Sequence, residues 1–111
     1  MHELAIAQSI VEAVSEVAGE ARVTRVRLEI GNLSGVITDS IRFCFELCTK
    51  GTVLEGAALQ IHEVAARARC CECNAEFLVE NAIALCACGS ANVDILAGHE
   101  LRIKEVELQN V

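Results

Sequence analysis

Residues 70–90 hold five cysteines in two close groups, Cys70-Cys71-Glu72-Cys73 and Cys86-Ala87-Cys88. A stretch this short, with few long apolar runs, cannot hold its shape by hydrophobic burial. Thiol chemistry or a bound ion must do so instead. The chain has seven cysteines in 111 residues, an odd number, so a fully paired disulfide framework does not close. The start, Met1-His2-Glu3-Leu4, carries no basic n-region, so the expectation is a chain without a secretory signal, kept in the reducing cytoplasm. Clustered cysteines there bind metal more often than they pair.

Zn(II) prefers four tetrahedral ligands in structural sites, and thiolate sulfur suits it. Cys70 and Cys73 have the two-residue gap of a metal-binding turn, whose backbone N–H groups can face the sulfur. Twelve residues separate Cys73 from Cys86, room for a short hairpin around Phe77-Leu78-Val79. Cys86 and Cys88 have one residue between them, and both side chains of such a turn can still converge. The expected ligands are therefore Cys70, Cys73, Cys86 and Cys88. With four protein ligands no position is open for a catalytic water, so the role is structural. Cys71, beside Cys70, is the alternative ligand. His99 reads as a turn residue, and Cys44 and Cys48 as small buried hydrophobes on a helix. The competing reading of the cluster is a redox dithiol.

The rest of the chain is patterned differently. Leu4 to Ala18 places Leu4, Ala7, Ile10, Val11, Val14, Val17 and Ala18 at helical spacing, with Gly19 as a stop. Val23 to Ile30 alternates, with Val26, Leu28 and Ile30 inward and Arg25, Arg27 and Glu29 outward, as a half-buried strand does. Gly31-Asn32-Leu33-Ser34-Gly35 is a turn cluster. Thr38, Asp39 and Ser40 are N-cap candidates for a second helix, Ser40 to Thr49, with Ile41, Phe45 and Cys48 in its stripe. Ala57 to Val64 is a second strand with Leu59 and Ile61 inward. Phe77 to Val79 is a short strand at most. Leu101 to Leu108 is a last strand with a phase change near Glu105, the mark of a bulge. An α/β core interrupted by a cysteine-rich insert accounts for this order.

Hydrophobic residues make up 53 % of the chain but aromatics only 3 %, so the core must be aliphatic. No apolar run approaches the length of a membrane span, and no membrane association is expected. A net charge of −7 argues against nucleic acid, which needs a basic footprint. There is no Gly-rich phosphate loop and no nucleophile motif, so no enzyme activity is expected.

The amino terminus has chemistry of its own. The α-amine, the amide nitrogen of His2 and its imidazole can close fused chelate rings around Ni(II) or Cu(II), which favour square-planar nitrogen sets. Bulky His2 disfavours removal of the initiator, so the amine is that of Met1. Glu3 or water would complete the set.

The start Met1-His2-Glu3-Leu4-Ala5-Ile6-Ala7-Gln8-Ser9 resembles that of the HypA/HybF family of nickel chaperones for NiFe-hydrogenase maturation. Leu28-Glu29-Ile30-Gly31-Asn32-Leu33-Ser34, Arg42-Phe43, Phe45-Glu46, Gly51-Thr52, Glu55-Gly56-Ala57 and Leu101-Arg102-Ile103-Lys104-Glu105 extend the match over nearly the whole chain. The resemblance implies an α+β fold, two helices on a three-stranded sheet with a small β zinc-binding domain inserted before the last strand. The expected boundaries are 1–66 with 97–111 for the nickel-binding domain and 67–96 for the insert. It implies a non-enzymatic metallochaperone, a monomer or homodimer. Ni(II) is cargo bound through His2 with Met1 and Glu3 nearby, and zinc is held by two cysteine pairs. The implied partners are the GTPase HypB and the hydrogenase large subunit, and some members also serve urease. The second cysteine pair departs from the family, which usually has Cys-x-x-Cys there. Cys88 matches the last ligand, and Cys86 lies one position late.

Overall fold

The computed structural model describes residues 2–80 and 83–109. Helix α1 (Glu3–Ala18) buries Ala7, Ile10, Val11, Val14 and Ala18 of the expected stripe, but Leu4 and Val17, at its two ends and off the centre of that face, are exposed. Gly19 closes it at φ +61° and ψ −118°, a conformation open to glycine, and its N–H reaches the Ser15 carbonyl. Strand β1 (Val23–Gly31) follows, then helix α2 (Thr38–Thr49) and strand β2 (Ala58–Val64). Strands β3 (Arg67–Cys70), β4 (Glu76–Leu78) and β5 (Val93–Ala97) come next, and β6 (Leu101–Leu108) ends the fold.

Two three-stranded sheets result. The first has order β2-β1-β6, with β1 parallel to β2 and antiparallel to β6. Parallel pairing needs a crossover, and α2 supplies it. Val26 and Leu28 of β1 lie beside Leu59 and Ile61 of β2 and beside Val106 and Ile103 of β6. These side chains pack with Ile10, Val11, Val14, Ile41 and Phe45 in one core. Phe45 is the one aromatic in it; the rest is aliphatic. Leu54, in the loop after α2, is fully buried in this core although it belongs to no periodic run.

The phase change near Glu105 is a bulge. Arg27 pairs with Glu105 but Leu28 pairs with Ile103, so Lys104 is the extra residue. The outer face carries cross-strand ion pairs, Arg25 with Glu107, Arg27 with Glu105, and Arg102 and Lys104 with Glu29. Most of these side chains are exposed or half-exposed, so each pair adds little, and Glu29 is the covered one, its carboxyl held below the usual carboxylate range first by Arg102.

The start of α2 corrects one expectation. The N-cap position is Ile37, not one of Thr38, Asp39 or Ser40, and no side chain of its own helix caps it. Instead the Ile37 N–H donates to Glu3 Oε2 of α1 at 3.2 Å. Glu3 thus does from another helix what the third residue of a capping box does from its own.

The second sheet has order β4-β3-β5, all antiparallel. The sequence pattern marked neither β3 nor β5. Among the described residues the cluster under this sheet has Ala66, Ala68 and Val79 as its buried members, with Leu33, Phe77, Ala84 and Val93 packed around them. Leu33 comes from the turn after β1, so the first sheet contributes a side chain to the second sheet's core. The two sheets meet where the chain passes from β2 to β3 and back from β5 to β6. Gly31 N–H donates to Glu100 O (2.7 Å), Asn32 N–H to Val64 O (3.0 Å) and Leu33 N–H to Gly98 O (2.7 Å).

Candidate metal centres

Cys70, Cys73, Cys86 and Cys88 converge, with all four Sγ atoms within 4.8 Å of one another. Two pairs across the groups, Cys70 with Cys88 and Cys73 with Cys86, each lie at 3.6 Å. That is far longer than a disulfide, whose sulfurs lie about 2.0 Å apart. Zn–S bonds of about 2.3 Å in a tetrahedron put sulfurs about 3.8 Å apart, so the cage has the size zinc needs. The donor set and spacing fit structural zinc.

Two turns build the cage, and they explain why unequal spacings converge. In the first, the Asn74 N–H donates to the Cys70 carbonyl and the Cys70 N–H to the Ala75 carbonyl, both at 2.9 Å. Asn74, right after the second ligand, is the one non-glycine residue with positive φ among the described residues, at +64°. In the second, the Gly89 N–H donates to the Cys86 carbonyl and the Cys86 N–H to the Ser90 carbonyl, again at 2.9 Å. Gly89, right after Cys88, has φ +94°. Both turns therefore end with a ligand followed by a left-handed residue, closed by the same two hydrogen bonds. The second is the first with one residue removed. The short Cys86-Ala87-Cys88 spacing still delivers both thiols.

The Cys73 N–H, and then the Glu72 N–H, which lies 3.4 Å from Cys70 Sγ, pull the Cys70 thiol down to about 6. Burial and the neighbouring sulfurs push the Cys86 and Cys88 thiols up, so a metal entering the cage has to displace protons there. Cys71 stays outside the cage. It is exposed, and desolvation together with the Asp94 carboxylate pushes its thiol up. His99 is exposed between β5 and β6 and does not join the cluster. Cys44 and Cys48 are half-buried on α2, and burial pushes Cys48 up.

At the amino terminus, His2 is exposed and occupies the N-cap position of α1, its carbonyl accepting the Ile6 N–H at 3.1 Å. Met1 lies outside the described residues. The Glu3 carboxyl is held below the usual carboxylate range, first by its own backbone N–H and then by that of Ile37. A depressed pKa means the strap to α2 is complete above the ordinary glutamate pKa and is lost as pH falls through the lowered value. An acid titration of the Ile37 amide shift should show a midpoint below that of an ordinary glutamate. Glu3→Gln should abolish the titration, and a midpoint at or above the ordinary value would contradict the strap.

A family model described as hydrogenase/urease nickel incorporation, metallochaperone, HypA matches residues 1–108. The chain is 49 % identical to the hydrogenase maturation factor HypA of Nostoc sp., over 100 % of this chain and 98 % of that protein. It is 53 % identical to the factor of the same name from Geotalea uraniireducens, over 98 % of this chain and all of that protein. The solution structure of the Ni metallochaperone HypA from Helicobacter pylori superposes with TM-score 0.65 at 26 % identity, covering 97 % of each chain. A second HypA solution structure gives TM-score 0.69 at 28 % identity, covering 98 % of this chain and 97 % of that one. Matched end to end by sequence and fold, this chain belongs to the HypA family of nickel-incorporation metallochaperones for hydrogenase maturation.

Proposed function

We propose that this chain binds Ni(II) reversibly at its amino terminus, through the Met1 amine and the His2 amide and imidazole with Glu3 alongside, and passes it on during NiFe-hydrogenase maturation. The carrying observation is the placement of His2. It is exposed at the N-cap position of a helix whose next residue is strapped to α2, so the His2 backbone is held. The first α-helical hydrogen bond of α1 is donated by Ile6. The His2 amide therefore lies outside the helical ladder and can give up its proton to a metal without breaking it. Glu3, with its carboxylate engaged by Ile37, positions the site.

In this reading Cys70, Cys73, Cys86 and Cys88 hold one Zn(II) with no open coordination position. The chain performs no catalysis, and nucleotide hydrolysis belongs to the GTPase HypB. The cargo goes to the hydrogenase large subunit, all in the cytoplasm. A zinc-ribbon interaction module without nickel is the alternative.

Nickel titration of untagged protein decides between them. Blocking the Met1 amine by Nα-acetylation, or His2→Ala, should abolish tight nickel binding while leaving about one zinc per chain. If the acetylated protein binds nickel as well as the native one, the amino-terminal site is wrong.

A further inference from the structure

An open cleft of about 840 Å³ lies between the two sheets, on the side of β2 and β4. The turn after β1 and Ala66 form its floor. Ile37 and Leu78 stand in its walls, 63 % and 60 % exposed, and Glu63 and Glu80 line it as well.

Main-chain chemistry, side-chain chemistry and charge agree on what fits there. Strands β2 and β4 are edges of their sheets, so among the described residues each has one row of main-chain groups without a strand partner. Just past β4 the Val79 N–H turns inward to the Ala66 carbonyl at 2.8 Å. By strand alternation, Leu78 and Glu80 turn their main-chain groups to the open side. Ile37 and Leu78 offer aliphatic surface next to that edge. Glu63 and Glu80 are exposed and form no ion pair among the described residues, in a chain of net charge −7. The complement is a cationic side chain.

We propose that this cleft takes an extended segment of a client protein, added as a strand to the open edge of β4, with apolar residues alternating with Lys or Arg. Edge hydrogen bonds supply affinity, and the alternate side chains and the two carboxylates supply selectivity. Ile37 joins the cleft to the amino terminus, because its N–H is the group Glu3 holds. A bound segment would lie beside the proposed nickel site. That consequence rests on the nickel reading; the binding itself does not.

The test uses zinc-loaded, nickel-free, isotope-labelled full-length protein and a blocked peptide of alternating Lys and Val. The expected result is saturable shifts at the Ile37, Leu78 and Glu80 amides, with slowed exchange at Leu78 or Glu80. A peptide of alternating Glu and Val should not bind. The double variant Glu63→Lys, Glu80→Lys should weaken binding about tenfold. Both positions are exposed and outside the cysteine cage, so its zinc content should match the parent. Shifts scattered over the whole acidic surface, or unchanged affinity in the double variant, would overturn the proposal. So would the same shifts appearing with protein concentration alone, which would make a second copy of the chain the occupant. Because nickel is absent, a failed nickel titration and a failed peptide titration are separate results.

Discussion

Cys70→Ala should release the zinc and melt the β4-β3-β5 sheet, while the β2-β1-β6 sheet and its two helices stay folded. Cys70 ends β3, is fully buried and sits 3.6 Å from Cys88 Sγ. Little else holds that sheet. Its buried apolar members are two alanines and one valine. Structural zinc contributes apparent binding free energies of about 10–16 kcal/mol in small zinc-finger peptides, as much as the net stability of a whole domain. The first sheet, its two helices and Leu54 share eleven buried apolar residues in one cluster and need no ion. Zinc content should fall from about one per chain to none. Amide exchange at Ala68 and Phe77 should become unprotected while Val26 and Leu28 keep their protection. A strong chelator should do the same to the parent protein. Zinc-free protein in which Ala68 stays protected would show that the sheet holds itself without the ion.

The division between what the sequence disclosed and what it hid follows side-chain size. Val26, Leu28 and Ile30 alternate with charged residues, so β1 could be read directly, and the stripe from Ala7 to Ala18 marked α1 equally well. The cysteines were legible for a different reason, since few other roles suit four thiols in two close pairs. Strand β3 was silent because its inward residues are Ala68 and Cys70, which carry no hydrophobic signal. Strand β5 was silent because only its end residues, Val93 and Ala97, are half-buried. The cap of α2 was misread because its acceptor, Glu3, belongs to another helix. Leu33 and Leu54 do their packing from loops, where periodicity has nothing to say. The cage ligands could be read from spacing, but the reason the short pair works, a left-handed residue after each second ligand, needed the backbone.

Gly31→Ala should be among the most damaging single substitutions outside the core and the cage, costing about 3 kcal/mol. Gly31 ends β1 at the point where the chain crosses between the sheets. A Cβ there would overlap the Gly98 carbonyl and approach Glu100 Oε1 to 2.7 Å. Gly98 cannot retreat, because a Cβ on it would already lie 2.9 Å from the Ala66 backbone, and its N–H is held by Glu100 Oε1 at 2.7 Å. Nor can Gly31, whose N–H donates to Glu100 O. Relief would have to come from parting the strands, which breaks the Leu33 N–H bond to Gly98 and draws Leu33 out of the second core. Gly19→Ala is the control. Gly19 has φ +61° and ψ −118°, which L-residues rarely adopt, but open space around its missing Cβ, so the change there costs backbone strain alone, about 2 kcal/mol. Urea unfolding of the two variants should rank them in that order. Gly31→Ala should keep its zinc, since no ligand is touched, and should shift the Leu33 and Gly98 amides. Equal losses in the two variants would mean that the junction yields, and that Leu33 does not tie the zinc sheet to the core.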